Sequence, residues 1–412
     1  MSKNKFQPIS ISLSPNVQKD DVVLAWKLLF QFWKWKRGSA IEELENEFKK
    51  YLGVKHAVSF NSGRSSLFAI LSALKLPKQS DVLLQAFTCN AVANPILWAD
   101  LNPVYIDCED DFTMSLESLE KKLQGKKVVI VQHTFGTPAR VKEIIDLVKK
   151  NQGIVIEDCA HALGGKFQNQ FLGTMGDASF FSFSRDKVIS CVYGGMAVTN
   201  NDALGAELKK LQKLYGMPSF FWIKQQLLHP VFLHYIILPL YNFFDLGKLF
   251  LVVSQWLHIL SKAVSWKEKR GLRPDYFPRA LPNALALLAL NQFKKLETFN
   301  ANRQRIAQIY YKALADSQFG LPKQDGIFLR FAITHPRAHE ILYEAWHQEN
   351  MLLGDWYTSV IAPFDTKLEE VKYKIGMCPN AERLAQRTLN LPTHITLTEQ
   401  EINRVVAFLK KQ

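Results

Sequence analysis

The sequence predicts an α/β protein: a mainly parallel, mixed sheet flanked by helices, with a smaller C-terminal α+β domain and an apolar helical insert. Three observations support this prediction. Helical and strand patterns alternate from residue 40 to 200, which is typical of a parallel sheet covered by helices. Residues 225–244 contain no Asp, Glu, Lys or Arg, and a long helical pattern over 281–316 leads into the C-terminal part.

Composition places the chain among folded globular proteins. Its 412 residues are 48% hydrophobic and 22% charged, enough for one large and one smaller domain. The net charge of +13 favours acidic partners. Without a helix-turn-helix, zinc or RNA-binding motif, nucleic acid is not expected to be among them. The N-terminus lacks a signal peptide's apolar core, and the five cysteines are scattered without metal-binding spacing. We therefore expect a cytoplasmic protein and no metal site.

The large domain is predicted to extend over residues 1–217. An amphipathic pattern predicts a helix over 41–52, the segment NSGRSS turns from a strand into a helix over 67–74, and a further helix covers 142–150. Short apolar runs predict strands at 56–60, 82–84, 104–106, 128–132, 154–157 and 178–183.

The remaining boundaries are an insert over 218–275, a connecting helix over 276–299 and a C-terminal domain over 300–412. That domain is predicted to contain a strand near 328–334, a helix near 339–349 and a terminal helix from 399.

The insert has the composition of a segment that contacts a membrane surface. Pro230 and Pro239 interrupt the uncharged run, so two or more helices lying at an interface fit better than a straight span. A basic cluster at 262–273 follows, and an N-terminal helix carries Trp26, Phe30 and Trp33. The alternative is that both segments pack against the core or a partner subunit.

The residues with the clearest chemical meaning are Asp158 and Lys187. Asp158 ends a buried strand, and Lys187 follows the next strand after about thirty residues. A carboxylate and an amine in this arrangement suit pyridoxal phosphate, because the lysine can hold its aldehyde and the carboxylate can keep its ring nitrogen protonated. The alternative is a surface lysine beside an unrelated strand-end carboxylate.

Three further features could complete such a site. In NSGRSSL, the residues Ser62, Gly63 and Arg64 begin a helix, where backbone N–H groups favour a phosphate; ordinary helix capping is the alternative. Ser182 could supply a hydroxyl to the same phosphate. His161 could contact the ring's phenolic oxygen, or it could be a helix-start histidine bonded to the backbone.

At these residues the chain resembles the DegT/DnrJ/EryC/StrS-type aminotransferases. GVKHAVSFNSGRSSL is similar to the family's phosphate-binding segment, and VIEDCAHALGG holds its ring-nitrogen aspartate at Asp158. FLGTMGDASFFSFSRDK carries the cofactor lysine at Lys187, and CPNAERLAQRTLNLPTHITLTEQEINRVVAFL is similar to the C-terminal signature.

The resemblance implies a fold-type-I, pyridoxal phosphate-dependent aminotransferase. The expected reaction transfers an amino group from glutamate or glutamine to a nucleotide-linked keto-sugar, for cell-surface polysaccharide or secondary-metabolite synthesis. A homodimer with shared active sites is expected as well.

Several positions depart from the family pattern. Arg64 replaces a threonine, and Cys89 replaces an aromatic residue that stacks on the ring, so stacking must come from Phe87 or be absent. Val192 and Tyr193 replace a glycine and a glutamate. Phe277 replaces the asparagine of a dimer-contact segment in which Arg279 is retained. These departures and the insert leave one alternative open, a catalytically idle relative that acts as a membrane-associated scaffold.

Overall fold

The computed structural model of the protein describes residues 7–125 and 127–412. Residues 1–6 and Lys126 lie outside the described residues. Residues 1–6 belong to the N-terminal segment from which we expect no signal peptide.

A seven-stranded sheet forms the centre of the large domain. Its strands are β1 (His56–Phe60), β2 (Asp81–Gln85), β3 (Asn102–Ile106), β4 (Val128–Gln132), β5 (Ile154–Asp158), β6 (Ala178–Ser182) and β7 (Gly195–Thr199). They are ordered β1-β7-β6-β5-β4-β2-β3, and β7 runs antiparallel to both of its neighbours while the other pairings are parallel. The predicted mainly parallel, mixed sheet is confirmed.

The strands are apolar because helices cover both faces of the sheet. Every residue of β4, β6 and β7 is buried. The α-helices of the described chain are Lys19–Leu29, Ala40–Leu52, Gly63–Ala73, Asn90–Trp98, Leu116–Lys122, Val141–Lys150, Asp202–Tyr215, Phe220–Phe232, Leu246–Trp256, Asn283–Phe293, Leu296–Leu314, Ala338–Glu349, Pro379–Arg387 and Glu399–Leu409.

The C-terminal part builds its own core on a small antiparallel sheet. Phe331–Thr334 pairs with Thr388–Leu391, and side chains of these strands pack with the helices Leu296–Leu314 and Glu399–Leu409. Ile361–Ala362 pairs in parallel with Thr88–Cys89 of the large domain. This pairing brings the C-terminal part beside the carboxyl ends of the central strands.

The connecting helix differs from its prediction, because two helices replace one. Asn283–Phe293 ends before Lys295, whose backbone has left the helical region, and Leu296–Leu314 follows. The Lys295 ammonium lies 2.8 Å from Asp20 and 3.0 Å from Asp21 of the N-terminal helix. The helical periodicity of a sequence does not predict tertiary contacts of this kind.

The insert contains two α-helices, and Pro230 does not interrupt the first of them. Phe220–Phe232 contains Pro230 and continues into a π-helical turn, Leu233–Ile237. Leu246–Trp256 is the second helix, and the first packs against the N-terminal helix Lys19–Leu29. Among the described residues no helix is both long and apolar enough to cross a bilayer.

Candidate active site

The carboxyl ends of β5 and β6 meet at one cavity. Asp158, at the end of β5, is the register partner of Phe180 in β6, and the loop after β6 returns Lys187 to the same place. The C-terminal part closes the cavity with Trp356 and Tyr357. Sequence-predicted residues in its lining are Gly63, Arg64, Cys89, Asp158, His161, Ser182 and Lys187.

Asp158 is a buried carboxylate, 4% exposed. Its Oδ1 accepts a hydrogen bond from the Ala160 amide at 2.9 Å. Burial raises the pKa of Asp158 to about 6, and the Ala160 amide and the positive charge of Lys187 partly offset this rise. The group is therefore an anion near neutral pH and would be stabilised further by a cationic ring nitrogen.

Lys187 lines the same cavity as Asp158. The Asn16 side-chain amide donates to its backbone carbonyl at 2.7 Å, and its Nζ lies 4.5 Å from the centre of the Trp356 ring. Burial lowers the pKa of Lys187 to about 8, although the carboxyl groups of Asp158 and Asp186 oppose this shift. A substantial fraction of neutral amine is therefore present near neutral pH.

His161 is fixed in an aromatic layer. Its Nδ1 accepts a hydrogen bond from the Phe135 amide at 3.2 Å, and its ring stacks on Trp356 with 5.2 Å between centroids. Burial, with smaller contributions from Lys187 and Arg330, lowers its pKa well below the ordinary value. His161 thus lines the cavity as a neutral imidazole. It is bonded to the backbone and it also faces the cavity, so both interpretations of this histidine from the sequence apply.

The anion-binding end of the cavity is the start of helix Gly63–Ala73. Ser62 caps this helix by accepting from the Ser65 amide at 3.0 Å, and it lies behind the lining. The Ser182 hydroxyl lies beside Gly63 and 3.1 Å from the Ser184 hydroxyl. A side chain at Gly195 would come within 2.5 Å of the Gly63 nitrogen, so that glycine permits the helix to approach β7.

Two arginines also line the cavity. Arg64 forms a buried ion pair with Glu268 and donates to the Ala263 carbonyl at 3.2 Å. Arg185 donates to both oxygens of Ser261 at 2.7 Å, while its buried Nε has no hydrogen-bond acceptor among the described residues. Both arginines are held by the final segment of the insert.

The two candidates for ring stacking occupy different places. Cys89 lines the cavity, and burial raises the pKa of its thiol. Phe87 is fully buried behind the lining, where it stacks on Phe112 with 5.3 Å between centroids. Trp356, which sequence reasoning missed, presents an aromatic surface to the cavity instead.

Arg185, Trp356, Tyr357 and Gln132 also line the cavity and were not singled out from the sequence. Arg185 stands two residues before Lys187, and this closeness to the predicted cofactor lysine is a signal that could have identified it. The other three come from β4 and from a loop of the C-terminal part, and no local pattern marks them.

The sequence pattern of the DegT/DnrJ/EryC1/StrS aminotransferase family matches residues 19–228 and 277–410. The chain belongs to this family. Residues 229–276, which contain most of the insert, fall outside the match.

Individual relatives cover nearly the whole chain. It is 31% identical to the GDP-perosamine synthase of Caulobacter vibrioides, over 92% of this chain and 91% of that protein. It is 26% identical to the UDP-N-acetyl-3-dehydro-alpha-D-glucosamine 3-aminotransferase of Acidithiobacillus ferrooxidans, over 91% and 89%.

Solved structures share the fold. The Helicobacter pylori aminotransferase PseC, involved in the biosynthesis of pseudoaminic acid, superimposes with a TM-score of 0.73 at 19% identity, over 100% of this chain and 99% of PseC. The pyridoxal phosphate form of a putative sugar aminotransferase, Spr1654 of Streptococcus pneumoniae, gives a TM-score of 0.75 at 18% identity, over 99% and 98%.

Pyridoxal phosphate is the cofactor of this aminotransferase family, and the cavity fits it. Asp158 and Lys187 match its ring nitrogen and aldehyde in charge and chemistry. The helix start at Gly63, the Ser182 hydroxyl and the unsatisfied Nε of Arg185 suit its phosphate.

We expect the covalent capture of pyridoxal phosphate by Lys187 in the cofactor-free protein to accelerate with pH through a midpoint near 8 rather than near 10.5. Only the neutral amine attacks an aldehyde, and burial lowers the pKa of Lys187. Borohydride trapping followed by peptide mass mapping at a series of pH values measures this rate. The Lys187→Ala variant gives the background, and a rate that rises only near pH 10 would contradict the prediction.

Proposed function

We propose that this aminotransferase moves an amino group from an amino-acid donor, glutamate or glutamine, to a keto-sugar that is nucleotide-linked. The observation that carries the proposal is the burial of Asp158 and Lys187 in one cavity beside a helix N-terminus. The two nearly full-length relatives support it, since their names describe a GDP-sugar and a UDP-sugar enzyme. The pathway in this proposal is cell-surface polysaccharide or secondary-metabolite synthesis.

The residues of the cavity have separate roles in the proposed reaction. When bound, pyridoxal phosphate supplies an electron sink that acidifies the Cα–H bond of the donor. The Asp158 carboxylate would hold a proton on its ring nitrogen, and Ser182, Gly63 and the two arginines, Arg64 and Arg185, would hold its phosphate. His161 would contact its phenolic oxygen as a neutral imidazole.

Lys187 then acts as the acid–base group. Its Nζ takes the proton from the donor Cα in the first half-reaction and returns a proton to the sugar carbon in the second. A pKa near 8 suits both tasks, because the same amine must accept and release a proton near neutral pH. Dehydratases of the family have histidine at this position, so the lysine favours amino transfer.

The alternative is an idle relative that serves as a scaffold at a membrane. Its support is the replacement of two family residues by Val192 and Tyr193, together with the exposed apolar residues of the insert. Val192 has a φ of 72°, which is unfavourable for a β-branched side chain, yet the loop that it occupies still delivers Lys187 to the cavity.

Replacing Lys187 by alanine should abolish both turnover and the borohydride-stable pyridoxyl adduct, whereas Asp158→Asn should retain cofactor and slow Cα deprotonation by several orders of magnitude. A neutral pyridine is a poor electron sink, so the two variants fail for different reasons. Visible absorption with and without amino acids, together with peptide mapping, measures both effects. An adduct on another lysine, or normal turnover in Asp158→Asn, would refute the assigned roles.

The active form is proposed to be a homodimer, as the family resemblance implies. Arg279 lies in the segment that makes the intersubunit contact in the family, and in this chain its guanidinium donates to the backbone carbonyls of Tyr215 and Asp275. Light scattering at micromolar concentration should therefore give twice the mass of the 47.2 kDa chain. A fully active monomer would contradict the shared site.

The insert is proposed to contact an anionic membrane surface. Its helix Leu246–Trp256 exposes Trp256 (77%), and the adjoining N-terminal segment exposes Phe30 (65%) and Trp33 (64%). Such aromatic residues favour the headgroup region, and nearby basic side chains contribute about 1 kcal/mol each at an anionic surface. Lys267 and Lys269 are already paired with carboxylates. Fewer basic side chains of the cluster 262–273 are therefore free to bind anionic lipids than the sequence suggests.

Co-sedimentation with phosphatidylserine vesicles tests this contact. The full chain should pellet, and replacing Trp33 and Trp256 by serine should release it to the supernatant because the apolar anchors are lost. The matched control replaces Tyr343 and Phe364, which are equally exposed but lie in the C-terminal part. If the full chain stays in solution, or both double variants bind alike, the insert does not bind membranes in this way.

A further inference from the structure

The lysine loop, residues 183–194, connects β6 to β7 without a strand or helix of its own, so side chains take the place of regular backbone hydrogen bonds there. The Asn16 amide donates to the Lys187 carbonyl at 2.7 Å and to the Val188 carbonyl at 3.3 Å. Asn16 is 1% exposed, and it lies before residue 19, outside the match to the family pattern. A buried amide from beyond that pattern therefore holds the backbone of the proposed cofactor lysine.

A buried cation determines which way the Asn16 amide faces. Arg303, in the helix Leu296–Leu314, donates through Nη2 to Asn16 Oδ1 at 3.1 Å and to the Val188 carbonyl at 2.8 Å. A guanidinium has donors only, so Asn16 must present its oxygen to Arg303, and its nitrogen is left to face the lysine loop. The Gln292 amide fixes the backbone as well by donating to the Asn16 carbonyl at 3.1 Å.

Ser14 connects the lysine loop to the insert. Its backbone amide donates to Asp186 Oδ1 at 3.2 Å, and its hydroxyl lies 3.1 Å from His229 Nε2. Ser14 and His229 are both buried, and His229 is the first residue after the family match ends at 228. Leu13 and Ser14 have φ values of 65° and 57°, a left-handed conformation that persists in residues other than glycine only where surrounding contacts enforce it. The turn at Ser14 is therefore held by the two segments that it joins.

We infer that Asn16 and the contact between Ser14 and His229 position Lys187 for its reactions, an inference that rests on the proposed role of this lysine. None of the three lines the cavity, so they act through the lysine loop and do not touch cofactor or substrate. Asn16 fixes the backbone from which the lysine side chain extends. Ser14 orients Asp186, whose carboxylate opposes the lowering of the pKa of Lys187 by burial. Through His229 the insert thus affects the reactivity of the lysine.

The first test measures the reactivity of Lys187 in the cofactor-free protein. The neutral Nζ attacks the aldehyde carbon of pyridoxal phosphate, water leaves, and borohydride reduces the resulting C=N bond, so that peptide mapping gives the capture rate. Asn16→Asp keeps the shape and the acceptor for Arg303 but removes both donors to the lysine loop. It should lower the plateau that this rate reaches at high pH by roughly tenfold to hundredfold, because the amine is no longer aligned, while circular dichroism shows a folded protein.

Asn151→Asp is the matched control. The Asn151 amide also donates to a backbone carbonyl, that of Leu147 at 2.9 Å, but it lies before the amino end of β5, at the opposite edge of the sheet from the cavity. Its variant should capture pyridoxal phosphate at the wild-type rate. If folded Asn16→Asp captures at the wild-type rate, or if both variants are slowed alike, Asn16 does not position Lys187.

The second test asks whether Ser14 and His229 act through one contact. Ser14→Ala and His229→Phe each remove the hydrogen bond and should each slow capture severalfold, and the double variant should be no slower than the slower single variant. His234→Phe, in the turn after the same helix, is the control and should react as the wild type does. Additive effects, or wild-type rates in both single variants, would overturn the inference. Where Asn16→Asp fails to fold, this cycle tests the inference by itself.

Failure of the inference and failure of the proposed function give different results. If the wild type captures pyridoxal phosphate at Lys187 but accepts no amino group from any amino acid, the proposed function is wrong, and the capture rates still test the positioning. If capture occurs at another lysine in the wild type, the assigned role of Lys187 is wrong, and the inference fails with it.

Discussion

The burial of two opposite charges in one cavity, Asp158 and Lys187, is the constraint on which the site depends. Each charge alone would be expensive to bury, and each shifts the pKa of the other toward its ionised form. The pair is assembled by sheet order, since β5 and β6 are parallel neighbours whose carboxyl ends coincide. The turn after β6 then needs only a few residues to return Lys187 to the cavity that Asp158 lines, although the two residues are about thirty positions apart in the sequence.

The neighbouring carboxylate, Glu157, has a structural role, unlike Asp158. Adjacent residues of a strand point to opposite faces, so Glu157 is directed away from Asp158 into a fully buried environment. Burial would raise its pKa, but hydrogen bonds from His133 at 3.1 Å and from the amides of Gly173, Met175 and Gly176 at 2.7–2.8 Å outweigh this and lower it. Glu157 is thus a structural anion that fixes the loop between β5 and β6, while Asp158 remains available for chemistry.

Local patterns were sufficient for most of the sheet and for the polar residues at its edge. The strand 56–60 was predicted with its observed bounds, and 128–132 as well, because buried strands are short apolar runs. β7 was missed, since its glycine-rich beginning resembles a turn. Trp356 and Tyr357 could not be found from sequence, because they reach the cavity only through tertiary contacts such as the pairing of Ile361–Ala362 with Thr88–Cys89. Periodicity describes what one element buries, and it carries no information on which loops of the C-terminal part meet the central sheet.

The departures from the family pattern are adjacent in space, and this adjacency explains them better than loss of function does. The Arg64 guanidinium lies 4.7 Å from the Phe277 ring and 5.6 Å from the Tyr193 ring, and it pairs with Glu268 from the end of the insert. The Tyr193 hydroxyl donates to the Lys262 carbonyl at 2.5 Å. Arg64, Tyr193 and Phe277 therefore contact one another or the returning insert, which forms a wall of the cavity through Ala263 and Val264. A threonine at position 64 would leave Glu268 as an unpaired buried charge, so the substitutions and the insert are physically one unit.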